Sequence, residues 1–73
     1  MASIVKTLRV QKGLTQEDLS VITGLNRVTI ATIEANGLAK AKAGTVVKLA
    51  DALGVDAGFL FRENVNHEEQ TEQ

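Results

Sequence analysis

The side chains best suited to chemistry are Arg27, Val28, Ala31 and Thr32, which share one arc of a helix-forming stretch, with Ile30 and Ile33 on the opposite side. At about 100° per residue Ala35 joins the same outward arc. A face that merely met water would favour Lys, Glu and Gln. This one is small and short-chained apart from Arg27, so the helix backbone can approach another surface closely. Such a face suits the reading of base edges. A major groove about 12 Å wide admits a helix, and an arginine near the start of that helix can donate two hydrogen bonds to guanine O6 and N7. A valine can pack on a thymine methyl, a threonine can meet a base edge or methyl, and Ala31 leaves room for the approach. The competing reading is that the same face packs against another protein. No enzymatic constellation stands beside it. His67 is the single histidine, and no serine, carboxylate and base are spaced to make a nucleophile or a metal site. The chain is therefore expected to be no enzyme, with no catalytic residue, metal or cofactor.

That arc needs elements to hold it. Asn26 is suited to cap its helix, and Asn36-Gly37 to stop it. Upstream, Thr15 can cap a second helix, with Asp18 three residues on as an imperfect capping box and Leu19 and Ile22 turned inward. Gly24, lacking a Cβ, lets the chain turn sharply between the two helices, Leu25 plugs the gap, and Ser20 is small where they approach. The first helix is predicted from about Ser3, its N-cap, to Lys12, with Ile4, Val5 and Leu8 on one face and Gly13 at its exit. After a surface loop ending at Lys42, a fourth helix is predicted from Ala43 to Leu53. It places Val46, Leu49, Ala50 and Leu53 at i, i+3, i+4 and i+7, and Gly54 ends it. Asp56 can cap a last short helix through Phe61. Phe59, Leu60 and Phe61 are too many large apolar groups for a small surface turn, so with Val55 they are the candidates for a dimer interface. No segment alternates long enough to be a strand, and the expected class is all-α.

A chain of 73 residues holds one domain. The absence of cysteine excludes a disulfide framework and a thiolate zinc site, which suits a reducing cytoplasm. The start, Met1 to Lys6, lacks the apolar run of a signal peptide, and no stretch approaches the roughly 18 apolar residues that span a bilayer. A soluble cytoplasmic protein with no membrane partner is the expectation. The formal net charge of -1 argues against a nucleic-acid partner until its distribution is considered. Up to Phe61, the seven basic residues Lys6, Arg9, Lys12, Arg27, Lys40, Lys42 and Lys48 face the five acids Glu17, Asp18, Glu34, Asp51 and Asp56, a balance of +2. Glu63, Glu68, Glu69 and Glu72 follow. From Arg62 onward one aliphatic residue and no periodic face cannot offset the entropy of ordering. The expected division is a domain over residues 1–61 and a flexible acidic tail over 62–73.

The pattern Leu8-Arg9, Gly13-Leu14-Thr15-Gln16, Leu19-Ser20, Gly24-Leu25, Ile30 and Ile33-Glu34 continues into Leu49-Ala50-Asp51-Ala52-Leu53-Gly54-Val55 and Phe59-Leu60-Phe61. Over roughly residues 4 to 61 this ordered set resembles the phage repressor and Cro family of helix-turn-helix regulators, the lambda-repressor-like domains. The resemblance implies a five-helix domain with its second and third helices as the helix-turn-helix, binding double-stranded operator DNA as a dimer with the third helix in the major groove. It implies that Gln16 supports the recognition helix and touches a phosphate, which a helix N-terminus favours, although an ordinary polar residue at that position would read the same. It also implies a salt bridge between Arg9 and Glu34. Both lie at the edges of their helices' apolar arcs, and a bridged Arg9 would not be a DNA contact.

The chain departs from the family pattern after Glu34. Its loop is one residue longer than common, and Ala41 and Lys42 stand where many relatives place Pro and a Ser or Thr cap. A lysine at a helix N-terminus opposes the dipole, so either Gly44 caps a shorter helix or Lys40 and Lys42 are held there by nearby phosphates. Asn36 is either a further phosphate contact or a helix stop alone. The leading functional expectation is a sequence-specific transcriptional regulator, most often a repressor in this family. A single small core and one recognition helix reading few base pairs favour a homodimer on half-sites about 34 Å apart. The alternative is an antitoxin or anti-regulator module, whose acidic tail grips a protein partner while the domain binds DNA for autoregulation.

Overall fold

Side-chain caps decide where most of the helices begin. In the computed structural model, which describes residues 3–62, the Ser3 hydroxyl accepts from the Lys6 amide at 3.0 Å and opens α1 (Ile4–Gln11). At α2 (Gln16–Thr23) the capping box is complete. The Asp18 amide donates to Thr15 Oγ1, and the Thr15 amide donates to Asp18 Oδ2, each at 2.9 Å. The Thr15 amide, and after it the Thr15 side chain, hold the Asp18 carboxyl below the usual carboxylate range. Asn26 Oδ1 accepts from the Val28 amide at 2.7 Å and starts α3 (Arg27–Asn36). α4 (Ala43–Leu53) begins at Lys42 with no side-chain cap bond. Asp56 Oδ2 accepts from the Phe59 amide at 3.2 Å, ahead of a fifth helix, α5, at residues 57–62. Arg62 is thus helical, one residue beyond the expected domain edge, and the rest of the expected acidic tail lies outside the described residues. There is no strand among the described residues, and the class is all-α.

α1 and α2 each pack against both α3 and α4. The core is Val5, Leu19, Ile30, Ile33, Leu38, Val46, Leu49, Ala50, Leu53 and Leu60, with Ile4, Leu8, Leu14, Leu25 and Val55 packed around it. The four inward positions expected of α4 are all buried. Each large aliphatic group taken wholly from water contributes about 1.5–3 kcal/mol, which is what locks the otherwise short helices together.

Three expectations are corrected. Ile22 is 55% exposed, because the inward stripe of α2 runs through Gln16, Leu19, Ser20 and Thr23 at i, i+3, i+4 and i+7. Three of those four are polar, and each has an inward partner. The Ser20 hydroxyl donates to the Leu25 carbonyl, the Thr23 hydroxyl donates to the Leu19 carbonyl at 2.7 Å, and the Gln16 amide reaches α3. The stretch before α4 is not wholly a surface loop. Gly37, at φ 87, turns the chain so that Leu38 drops fully into the core, as an apolar residue just past a helix end commonly does. Leu60 is fully buried within the chain and so leaves the set of dimer-interface candidates.

Gly24 sits at φ 76 and ψ 7, and its amide closes α2 on the Ser20 carbonyl at 2.8 Å. A Cβ there would meet nothing within 4 Å. Glycine is required at this corner by backbone conformation and not by space.

Candidate nucleic-acid interface

α3 is held from behind by one carboxylate. Arg9 Nε donates to Glu34 Oε2 at 2.6 Å and Nη2 to Oε1 at 3.1 Å, a two-pronged ion pair. Arg9 Nη1 also donates to the Leu14 carbonyl at 2.7 Å, and Gln16 Nε2 donates to Glu34 Oε1 at 3.0 Å. The Glu34 carboxylate therefore ties α1 and the first residue of α2 to α3, and Arg9 extends the tie to the α1–α2 connection. Burial pushes the Glu34 carboxyl up, but the hydrogen bonds from Arg9 and Gln16, with the charges of Arg9 and Lys6, outweigh it and hold the group below its ordinary range. The bond to Glu34 likewise raises the Arg9 guanidinium, against its desolvation. Arg9 is buried and spoken for, so it is not on the outer surface.

With Ile30 and Ile33 fixed inward, the opposite arc of α3 faces out. Arg27, Thr32 and Ala35 are exposed, Val28 is 70% exposed, and Ala31 is half-buried. Val28, Thr32, Asn36, Lys40 and Lys42 are brought together around one concavity of about 800 Å³ between α3, the following loop and the start of α4. Arg27 and Ala31, on the same helix, and Gln16, on α2, lie outside its lining. Two residues that the sequence reading missed also line it, Thr29 and Thr45. Thr29 was legible, since Thr29, Thr32 and Asn36 form a stripe at i, i+3 and i+7. Thr45 was not, because its approach to Asn36 and Lys42 depends on the path of the loop.

Lys42 is the N-cap of α4 itself, so the helix is not shortened to begin at Gly44. Lys40 and Lys42 are exposed, and neither makes an ion pair with another described residue. The surface thus combines an outward face of small and β-branched side chains, one arginine at the helix start, hydroxyl and amide groups, and two lysines on its flank. It can approach a base-pair edge closely while its lysines meet phosphate oxygens. Among the described residues no group of His, Cys, Asp or Glu side chains is placed to hold a metal ion, and no helix is long and apolar enough to cross a membrane.

The family described as helix-turn-helix matches the chain over residues 5–60, from α1 into α5, and the chain belongs to that family. It is a DNA-binding regulatory domain, with α2, the Gly24 turn and α3 as its helix-turn-helix. Individual curated proteins and solved structures give no match.

Proposed function

We propose that the chain is a sequence-specific transcriptional regulator of the phage repressor and Cro type, acting in the cytoplasm as a repressor. It binds operator DNA as a homodimer with α3 in the major groove. Arg27, Val28, Ala31 and Thr32 read bases, and Gln16, Asn36, Lys40 and Lys42 hold phosphates. The observation that carries this reading is the convergence of Val28 and Thr32, from the outer face of α3, with Asn36, Lys40 and Lys42 on one concave surface. Gln16 retains a second amide hydrogen after its bond to Glu34, so it can serve both the ion pair and a phosphate. For the dimer, Leu60 is set aside, while Val55 and Phe59 are half-buried and Phe61 is 46% exposed. Phe61 shares an apolar groove with Val47, which is itself 48% exposed, so the interface is assigned to the α4–α5 side.

Titration of the isotope-labelled chain with a duplex tests the assignment. The expected result is amide-shift change concentrated at residues 27–32 and 40–45. Change confined to the exposed face of α2, or none at all, counts against it. A protein-binding module of the antitoxin or anti-regulator kind is the second reading. The specific observation favouring it is an apolar pair on α2, Val21 at 77% and Ile22 at 55% exposure, which the DNA reading does not use.

A further inference from the structure

We propose that the lysine flank of the DNA-facing surface has a second occupant within the same polypeptide. The acidic sequence after Arg62 pairs with Lys40 and Lys42 and competes there with DNA phosphates. This rests on the reading of those lysines as phosphate contacts. Three observations carry it. The first is the segregation of charge. Residues 3–62 hold eight basic side chains, the seven named above plus Arg62, against five acids, a balance of +3. The sequence beyond holds Glu63, Glu68, Glu69 and Glu72 with no lysine or arginine.

The second is position. Phe61 and Ala57 line an apolar groove with Ala39, Ala41, Ala43 and Val47, and Ala39 and Ala41 also line the concavity that holds Lys40 and Lys42. The chain therefore leaves α5 beside the loop that carries both lysines. The third is reach. At about 3.3–3.6 Å per extended residue, Glu68 and Glu69 can lie roughly 20–25 Å from Arg62, ample for an adjoining loop.

Each such exposed pair is weak alone. Tethering raises the local carboxylate concentration to the order of millimolar, the range in which a weak contact is partly populated. Phosphate contacts supply affinity for any sequence, whereas base contacts discriminate. Carboxylates that discount the phosphate contacts at Lys40 and Lys42 lower affinity for every duplex alike and leave base reading by Arg27, Val28 and Thr32 intact, so they set the overall affinity and not the discrimination between sequences.

The test compares the full chain with the variant Glu63→Gln, Glu68→Gln, Glu69→Gln and Glu72→Gln, first without DNA. The expected result is amide-shift differences at residues 39–45, absent at Lys6, Lys12 and Lys48, which are exposed too, lost in high salt and unchanged on dilution. On a random-sequence duplex at low salt, the neutralised variant is expected to bind roughly five- to tenfold more tightly. That gain should vanish when both chains also carry Lys40→Gln and Lys42→Gln. No shift at 39–45, equal shifts at every lysine, or shifts lost on dilution, which point to a second copy, overturn the proposal. So does an affinity gain that survives the lysine substitutions. If neither chain binds any duplex, the DNA reading fails, and the shifts still decide whether the acidic segment occupies this site.

Discussion

Arg9→Ala is the perturbation whose size follows most directly from the structure. The Arg9 and Glu34 side chains are 11% and 4% exposed, and their contact is two-pronged at 2.6 and 3.1 Å. Removing the guanidinium leaves the buried Glu34 carboxylate with the Gln16 amide as its remaining side-chain donor and strips the Leu14 carbonyl of its partner. Breaking a buried pair from one side costs about 3–5 kcal/mol. A domain of about 60 ordered residues is stable by only about 3–9 kcal/mol, so the variant should be close to unfolding, with a midpoint lower by more than about 12 °C. Replacing both partners, Arg9→Met with Glu34→Leu, leaves no uncompensated charge and should recover most of that loss. Urea melts followed by far-UV circular dichroism on Arg9→Ala, Glu34→Ala and the double variant close the cycle. Coupling of at least about 2 kcal/mol is expected for a buried hydrogen-bonded pair, and a value below about 0.5 kcal/mol would refute the reasoning.

The same carboxylate gives a pH dependence. Its folded value is depressed, so its contribution is fully present above the ordinary glutamate value near about 4.3 and is lost as pH falls through the lower folded value. Melts from pH 7 to 3 should show that loss, and Glu34→Gln should reduce it, leaving the share that comes from Asp18. Gly24→Ala should cost about 1–2 kcal/mol through its positive φ alone, with Gly24→Asn milder, as read by thermal melts. Leu60→Ala should cost about 2–5 kcal/mol, whereas Phe61→Ala should leave the protomer's stability nearly intact and shift sedimentation toward monomer. On a selected duplex, Lys40→Ala and Lys42→Ala should each weaken binding across sequences and lower the salt slope by about one, seen in binding isotherms at several salt concentrations.

The helix order was legible because capping residues and glycines punctuate this chain clearly. Ser3, Thr15, Asn26 and Asp56 all accept the expected backbone bonds, and α4 shows its apolar period without interruption. The Arg9–Glu34 bridge was legible only through the family resemblance, since its partners are 25 residues apart. What escaped was contact between elements. The polarity of Gln16, Ser20 and Thr23 hides an inward stripe, whose partners are the Glu34 carboxylate, the Leu25 carbonyl in the turn and the Leu19 carbonyl of α2 itself. That polar stripe displaced Ile22 outward. Leu38 looked like a loop residue until the Gly37 turn carried it inside, and Leu60 looked unsheltered because the core it completes is built from distant helices. Lys40 and Lys42 could be singled out from their unusual place before α4, but their position beside Val28 and Thr32 comes from the loop path.

The most direct test of the outer face of α3 as the base-reading surface is selection of bound duplexes from a random pool at one stated salt concentration, run in parallel on the native chain and on Arg27→Ala. The expected result is a two-fold symmetric consensus with half-sites about one helical turn apart, in which the variant loses preference for guanine at one position per half-site, by about 1–3 kcal/mol. A consensus unchanged by Arg27→Ala, or enrichment of no sequence by the native chain, would contradict it.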